Sequence, residues 1–416
     1  MVSSLTEAEV SDECLAAAEE SEVAFKWQEA SAYYTRALSR LTGSSLENLL
    51  RARLGYSLFQ AAMQTQSPSE FGPGIRSAIE VCKKGRFDNT STSPDGPSAF
   101  RCQAMVAYLE SWLDANPKKR KQHLDSAWAL TKQSLEACQK ALQFENFVET
   151  YTRLGITAQK AFSLDWSISE RRKMMREAIS LGEEAIRYSR LNSSQSQLAL
   201  SLVQVATHLL RLERVLGPED KAEKKTCRGR AVKYWREARD LSEEIAHIES
   251  LRFDSPAGME FEEGKDPSKS FTETAESQEL TLKFARARGD NFLIASALDW
   301  LAQPTLFTTF ETEDGAEAIR QCDKALSYAE EAQRCYAAMS FLSARGGLLW
   351  TGAPRAEYYT SMYLVEIDQE KRKDLLRRAL DELPALLRLS EQSGYPEVLS
   401  DAHHVISKTF LYFSRM

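Results

Sequence analysis

Apolar side chains recur at intervals of three and four residues along nearly the whole chain, while the apolar–polar alternation of strands bounded by turn pairs is almost absent. The chain therefore reads as all-α. Its clearest unit is A-S-A-Y-Y-T-R-A-L from Ala30 to Leu38, in which Ala30, Tyr34 and Ala37 fall four and three residues apart and share one helix face. Two small residues flanking a bulky one invite a close neighbour. The same spacing returns at Ser134, Cys138 and Ala141, at Ala178, Gly182 and Ala185, at Ala231, Trp235 and Ala238, and at Ala318, Cys322 and Ala325. Repetition of that kind belongs to stacked helical hairpins, whose units cannot bury their faces alone.

Breakers and caps divide the pattern into roughly 16 helices. A first hairpin covers 7–41. Ser44 and Glu47 have the spacing of a capping box before a helix over 46–64, and a helix over 74–84 follows Pro73. The polar, turn-rich stretch from Lys84 to Ser98 is expected to be a loop. Helices resume over 98–115, 118–142, 146–164, 168–191, 195–216 and 220–249, with Ser194 and Gln197 as a second box. Those after the next interruption fall at 271–288, 290–302, 313–335, 336–349, 354–367, 370–391 and 396–414, and Pro384 is expected to kink or split its helix. The division is one array in two arms: 1–250, a flexible acidic insertion or hinge at 251–270 that carries Pro256, Gly258, Gly264 and Pro267, and 271–416.

Composition narrows the picture. With 416 residues, 43% hydrophobic and 27% charged, the chain has material for a substantial core. A net charge of -7 without a basic, aromatic-rich stripe argues against nucleic acid as a partner. The seven cysteines stand far apart, with no CxxC pair, and read as buried thiols of a reducing compartment. The N-terminal M-V-S-S-L-T-E-A-E-V lacks the pattern of a secretory signal. The most apolar run, Leu198–Leu210, is broken by Gln204 and His208 and falls short of the ~20 residues of a membrane span. The expectation is a cytoplasmic protein with no membrane partner.

The chain resembles the tetratricopeptide repeat (TPR) family. That family's second-helix signature is met by Ala30, Tyr34 and Ala37 and by Ala231, Trp235 and Ala238. Its first-helix signature is met by Tyr151, Leu154, Gly155 and Ala158 and in part by Leu54, Gly55 and Leu58. The family's unit is about 34 residues, and the longer, irregular spacing here requires lengthened helices or inserted loops. The resemblance implies a right-handed superhelical stack of antiparallel hairpins, with a curved groove on the order of 80 Å long for eight hairpins. It also implies that first helices line the groove, which makes Thr152, Gln159 and Lys160 the expected partner contacts. At the positions where the family holds a lysine and an asparagine for acidic chaperone tails, this chain has Ala52 and Tyr56, and Thr152 and Ile156. That ligand is not supported.

Motifs of catalysis and metal binding are missing from the sequence: no HExxH, GxSxG, GxxxxGK[ST] or strand-borne GxGxxG occurs. His403 and His404 are adjacent, but neighbouring helix positions point about 100° apart and do not share a metal easily. No catalytic residue, cofactor or metal is expected. Lys118–Lys121 has the look of an import signal and equally of a solvated helix start. Seven tryptophans, about one per hairpin, are expected mostly in the core, with a few free to anchor a partner.

The function these features imply is a scaffold or adaptor that takes a protein or peptide partner in its concave groove. The alternative is a regulatory sensor that encloses a small ligand or peptide and changes curvature. The C-terminal V-I-S-K-T-F-L-Y-F-S-R-M, an apolar helix, is expected to support self-association.

Overall fold

The computed structural model describes residues 7–24, 26–41, 46–64, 68–85, 96–114, 116–141, 167–191, 195–245, 267–289, 291–308, 314–338, 355–364, 366–393 and 396–414. Among the described residues every regular element is helical. In chain order they are α1 (Glu7–Val23), α2 (Trp27–Arg40), α3 (Glu47–Met63), α4 (Pro68–Lys83), α5 (Gly96–Leu113), α6 (Pro117–Ala141), α7 (Ile168–Leu191) and α8 (Gln195–Val215). After a single 3-10 turn come α9 (Lys221–Ile245), α10 (Pro267–Arg288), α11 (Asn291–Thr308), α12 (Gly315–Ala338), α13 (355–364), α14 (Gln369–Ser393) and α15 (Pro396–Phe413).

Local sequence explains the helix starts. At α6 the Asn116 side chain accepts from the backbone N–H of Lys118 at 2.9 Å, and Pro117 takes the first helical position, where its missing donor costs nothing. At α7 a full capping box forms: Ser167 Oγ accepts from Glu170 N–H at 3.2 Å, and the Glu170 carboxylate accepts from Ser167 N–H at 3.0 Å. The Ser167 hydroxyl, donating to the same carboxylate at 2.6 Å, and the Ser167 N–H hold the Glu170 carboxyl below its usual range. Glu47 behaves differently from expectation. Its carboxylate turns along the helix to Arg51 at 2.7 Å, and Leu46 caps α3 without a side-chain bond. Pro73 and Pro384 both lie inside continuous helices, so α4 starts at Pro68 and α14 is not split. The last four residues of the expected insertion are helical, since α10 starts at Pro267; 251–266 lie outside the described residues, as do Ser44, Ser194 and the helices expected at 146–164 and 336–349.

The helices pack in two layers. Consecutive helices contact one another from α1 through α6, and α8 packs on both α7 and α9 just as α11 packs on α10 and α12. Helices two apart in those triplets also meet, through Arg176–Glu223 between α7 and α9 and Arg286–Glu331 between α10 and α12. Each triplet is thus two parallel outer helices with a third behind them, the arrangement of stacked hairpins.

The small–bulky–small markers lie in these contacts. Ala30, Tyr34 and Ala37 are fully buried, and so are Ala178, Ala185, Ala231 and Ala238. At Gly182 the reason is steric: a Cβ there would come within 2.4 Å of Val205 Cγ2 on α8. Gly55 plays the same part against Cys82 Sγ. The cores follow the hairpins. Ala30, Tyr34, Leu50 and Leu54 join α1–α3, and Leu202, Val205, Leu209, Cys227 and Trp235 join α7–α9. One cluster runs further, with Phe59, Ile75 and Leu109 of α3–α5 in the same core as Leu282, Leu298 and Leu301 of α10–α11.

Candidate interaction surfaces

The most ordered polar constellation runs along the outer helices α7 and α9. Arg176 meets Glu223, Glu183 meets Arg230, and Arg190 meets Glu237 at 2.6 Å, the first and last pairs each 47 residues apart. The rungs repeat every seven residues on both helices, the spacing at which parallel helices keep one face in contact. Their polarity alternates. A slip of one heptad sets Arg176 against Arg230 and Glu183 against Glu237, so the charges specify the register. Each exposed pair alone contributes only about 0.2–1 kcal/mol. Between the second and third rungs lies an open cleft of about 380 Å³, lined by Glu183, Ile186, Arg187, Arg190, Leu191 and Tyr234. The Tyr234 hydroxyl donates to Glu183 at 3.2 Å, and the Arg187 guanidinium stacks on Tyr188 at 4.3 Å.

The helices behind these are of another kind. Every residue of α8 from Ala199 to Leu210 is buried, the polar Ser201, Gln204, Thr207 and His208 included. In α11, Asn291, Leu293, Ile294, Ala295, Ala297, Leu298 and Asp299 are all buried. Asp299 is the one carboxyl among them, and burial pushes it well above its ordinary range. At these two helices the interior layer is packed rather than lining an open trough.

A seam of aromatic rings crosses α2, α3 and α5. Trp27 meets Tyr56 edge-on at 5.6 Å, Phe59 meets Tyr108 at 5.8 Å and Trp112 at 5.4 Å, and Tyr56 lies 6.5 Å from Phe59. Trp27, Phe59 and Trp112 are buried, whereas Tyr56 and Tyr108 are half-buried. Nearby, Arg53 donates to the Tyr34 hydroxyl at 3.1 Å and to Glu19 at 2.9 Å, tying α1, α2 and α3 at one point.

The sequence-predicted positions fare unevenly. Thr152, Gln159 and Lys160 lie outside the described residues, as do Ile156, Trp166 and Trp350. Of the clamp-equivalent positions, Ala52 is buried and Tyr56 belongs to the aromatic seam. In the Lys118–Lys121 string the Arg120 side chain is buried and Lys121 pairs with Asp125 at 3.1 Å, so it is not a run of four free cations. Along the first turns of α9, Arg228 pairs with Glu213 and Arg230 with Glu183, while Lys221 and Lys225 are exposed. His403 and His404 are both exposed. Among the described residues no group of three or more His, Cys, Asp or Glu side chains is placed to hold a metal. No described helix is long and apolar enough to cross a membrane.

Sequence reasoning missed the ladder. The heptads of alternating charge at 176, 183 and 190 and at 223, 230 and 237 are visible in the sequence, but not the pairing of two helices that are not consecutive. At the C-terminal end, Leu364, Ile367, Phe410, Leu411 and Phe413 are exposed, and the Tyr363 and Tyr412 rings, 6.1 Å apart, link the two segments that carry them.

The geometry defines an all-α array of helical hairpins. No protein-family model matches the chain, and no curated protein matches it. Solved structures similar to it include a Rap protein complexed with competence and sporulation factor, 11% identical with 99% of each chain covered and a TM-score of 0.48. A circular tandem repeat protein of novel repeat topology is similar at 14% identity, covering 98% of this chain and 95% of that one, with a TM-score of 0.24. The architecture described above rests on this chain's own helices.

Proposed function

We propose that this protein is a non-catalytic interaction scaffold of the cytoplasm that binds a protein or peptide partner across its array of helical hairpins. The observation that carries the reading is the aromatic seam: Tyr56 and Tyr108 are half-buried rings on a buried base of Trp27, Phe59 and Trp112. Rigid aromatics on a packed floor are the side chains from which interfaces draw most of their energy. Thr152, Gln159 and Lys160 are proposed as further contacts through the family resemblance. The test is affinity purification from the native cell with the wild-type chain and a Tyr56→Ala/Tyr108→Ala variant whose helical content is unchanged. A partner held by the first and lost by the second supports the scaffold. Equal retention removes the seam from the interface, and indifference of binding to Lys160→Glu removes that residue.

A second reading, a sensor that encloses a small ligand or peptide and changes curvature, draws on long helices such as α7 and α9, of 24 and 25 residues. A ligand at a hundred times its dissociation constant adds about 2.7 kcal/mol to stability. A thermal-shift screen against metabolites reads that directly, and no shift leaves the scaffold ahead. The exposed residues around Tyr363 and Tyr412 support a further proposal, self-association through α15. Sedimentation showing only monomer at micromolar concentration rejects it.

A further inference from the structure

The ladder between α7 and α9 has two intervals, and they are filled differently. Between Arg176–Glu223 and Glu183–Arg230 the helices contribute Ile179 and Cys227, both buried in the α7–α9 core. Between Glu183–Arg230 and Arg190–Glu237 they contribute Ile186 and Tyr234, and Tyr234 does not fill the interval, because its hydroxyl turns back to donate to Glu183 at 3.2 Å. The space left is the open cleft of about 380 Å³, at the lower end of the size of binding sites. Buried Ile186 and Leu191, 68% exposed at the end of α7, give it an apolar part.

Its charged part leans positive. Glu183, the one acid among the six lining residues, is already met by Arg230 and by the Tyr234 hydroxyl. Arg187 and Arg190 are more than half exposed. Arg187 directs Nε and Nη2 at a single oxygen of Glu184, and Arg190 gives Nη2 to Glu237. A guanidinium has five N–H donors, so each has others to offer, and exposed pairs of this kind yield readily to a competing anion. Arg187 is also set in place beforehand, stacked on Tyr188 at 4.3 Å, so less side-chain freedom is lost when it is used.

We infer that this cleft is a second docking site, separate from the aromatic seam, for a segment of a protein partner in which an acidic side chain adjoins a large apolar one. The apolar side chain covers Ile186 and Leu191, and the carboxylate accepts from Arg187 and Arg190. A basic segment meets two cations there, and an acidic segment without the apolar neighbour leaves Leu191 in water. The inference rests on the protein-binding reading above for the class of partner and adds to it a surface and a sequence preference.

The probe is a pool of fluorescein-labelled 12-residue peptides in which Asp or Glu stands beside Leu, Ile or Phe, with C-terminal amides so that only side chains carry carboxylates. A matched pool has Lys in place of every acid. Anisotropy against the full chain is expected to show saturable binding of the acidic pool, weakened by salt, and none of the basic pool. For the tightest acidic member, Arg187→Gln/Arg190→Gln is expected to weaken binding roughly tenfold to a hundredfold, the effect of losing one or two charge-assisted hydrogen bonds. Leu191→Asp, which sets a like charge against the peptide, is expected to weaken it at least as much. These side chains are exposed, so both variants are expected to melt close to the wild type, and Tyr56→Ala/Tyr108→Ala is expected to bind the peptide unchanged. Equal binding of the two pools, binding of neither, or unchanged affinity in the arginine and leucine variants overturns the inference. Loss confined to the Tyr56→Ala/Tyr108→Ala variant assigns the peptide to the seam, which overturns the inference while supporting the scaffold reading.

Discussion

The outer helices α7 and α9 and the helix α8 behind them solve the same packing problem by opposite means. Between α7 and α9 the contact is charged, partly exposed and regular, with Arg and Glu alternating every seven residues. Around α8 it is dry and steric, with Leu202, Val205 and Leu209 almost fully enclosed and the Gly182 backbone drawn up to Val205. The difference separates two jobs. Burial supplies stability, at about 1.5–3 kcal/mol for each large apolar side chain. Exposed ion pairs supply little of it, yet their alternating sign decides which heptad faces which.

That division is open to attack, and the largest effect is expected in the dry layer. Leu202→Ala on α8 should lower unfolding stability by about 2–5 kcal/mol in denaturant titration, the cost of a cavity in a site with little room to collapse. Gly182→Val forces two branched side chains into one space and should cost about 1–3 kcal/mol. Since the helix itself tolerates Val, much of that loss should be recovered by adding Val205→Ala. A reversal at a rung, Glu183→Arg with Arg230 kept, should cost only about 0.5–1 kcal/mol, and 1 M salt should erase most of it. If the rung costs as much as the cavity, the separation of roles fails.

Asp299 provides a smaller effect, one whose sign depends on pH. Burial raises its carboxyl, so the folded chain keeps a proton that the unfolded chain has already lost above pH ~4. Stability contributed by this group therefore falls as pH rises from there toward the raised folded value. Asp299→Asn, neutral throughout, should gain on the wild type steadily across that window and show no advantage below it. Melting temperatures of both proteins measured from acid to neutral pH give the answer, and a flat difference means the carboxyl is not held neutral.

Much of this layout was legible in the residues. Ala30, Tyr34 and Ala37 announce a close helix contact because two methyls around a ring leave room for a neighbour, and all three are fully buried. The same logic placed Ala231, Trp235 and Ala238 in the core. Leu198–Leu210, read first only as too short for a bilayer, turns out to be the enclosed stretch of α8, where apolar residues face neighbours on every side. The helices expected from 74 and 271 start earlier, at Pro68 and Pro267, the second inside the stretch expected as an insertion. The candidate contacts were harder to foresee. Tyr56 meets Trp27, and Phe59 meets Tyr108 and Trp112, only once α2, α3 and α5 are packed, and the enclosure of the Asp299 carboxyl is defined by what surrounds it.

The full enclosure of α8 has a consequence for biosynthesis. A chain made at about 5–20 residues per second needs on the order of seconds to deliver α9 after α8 is complete. Through that interval α8 has α7 on one side and exposes the apolar surface that later meets Cys227, Ala231 and Trp235. The newly made protein is then at its stickiest, and the correct arrival of α9 ends the exposure.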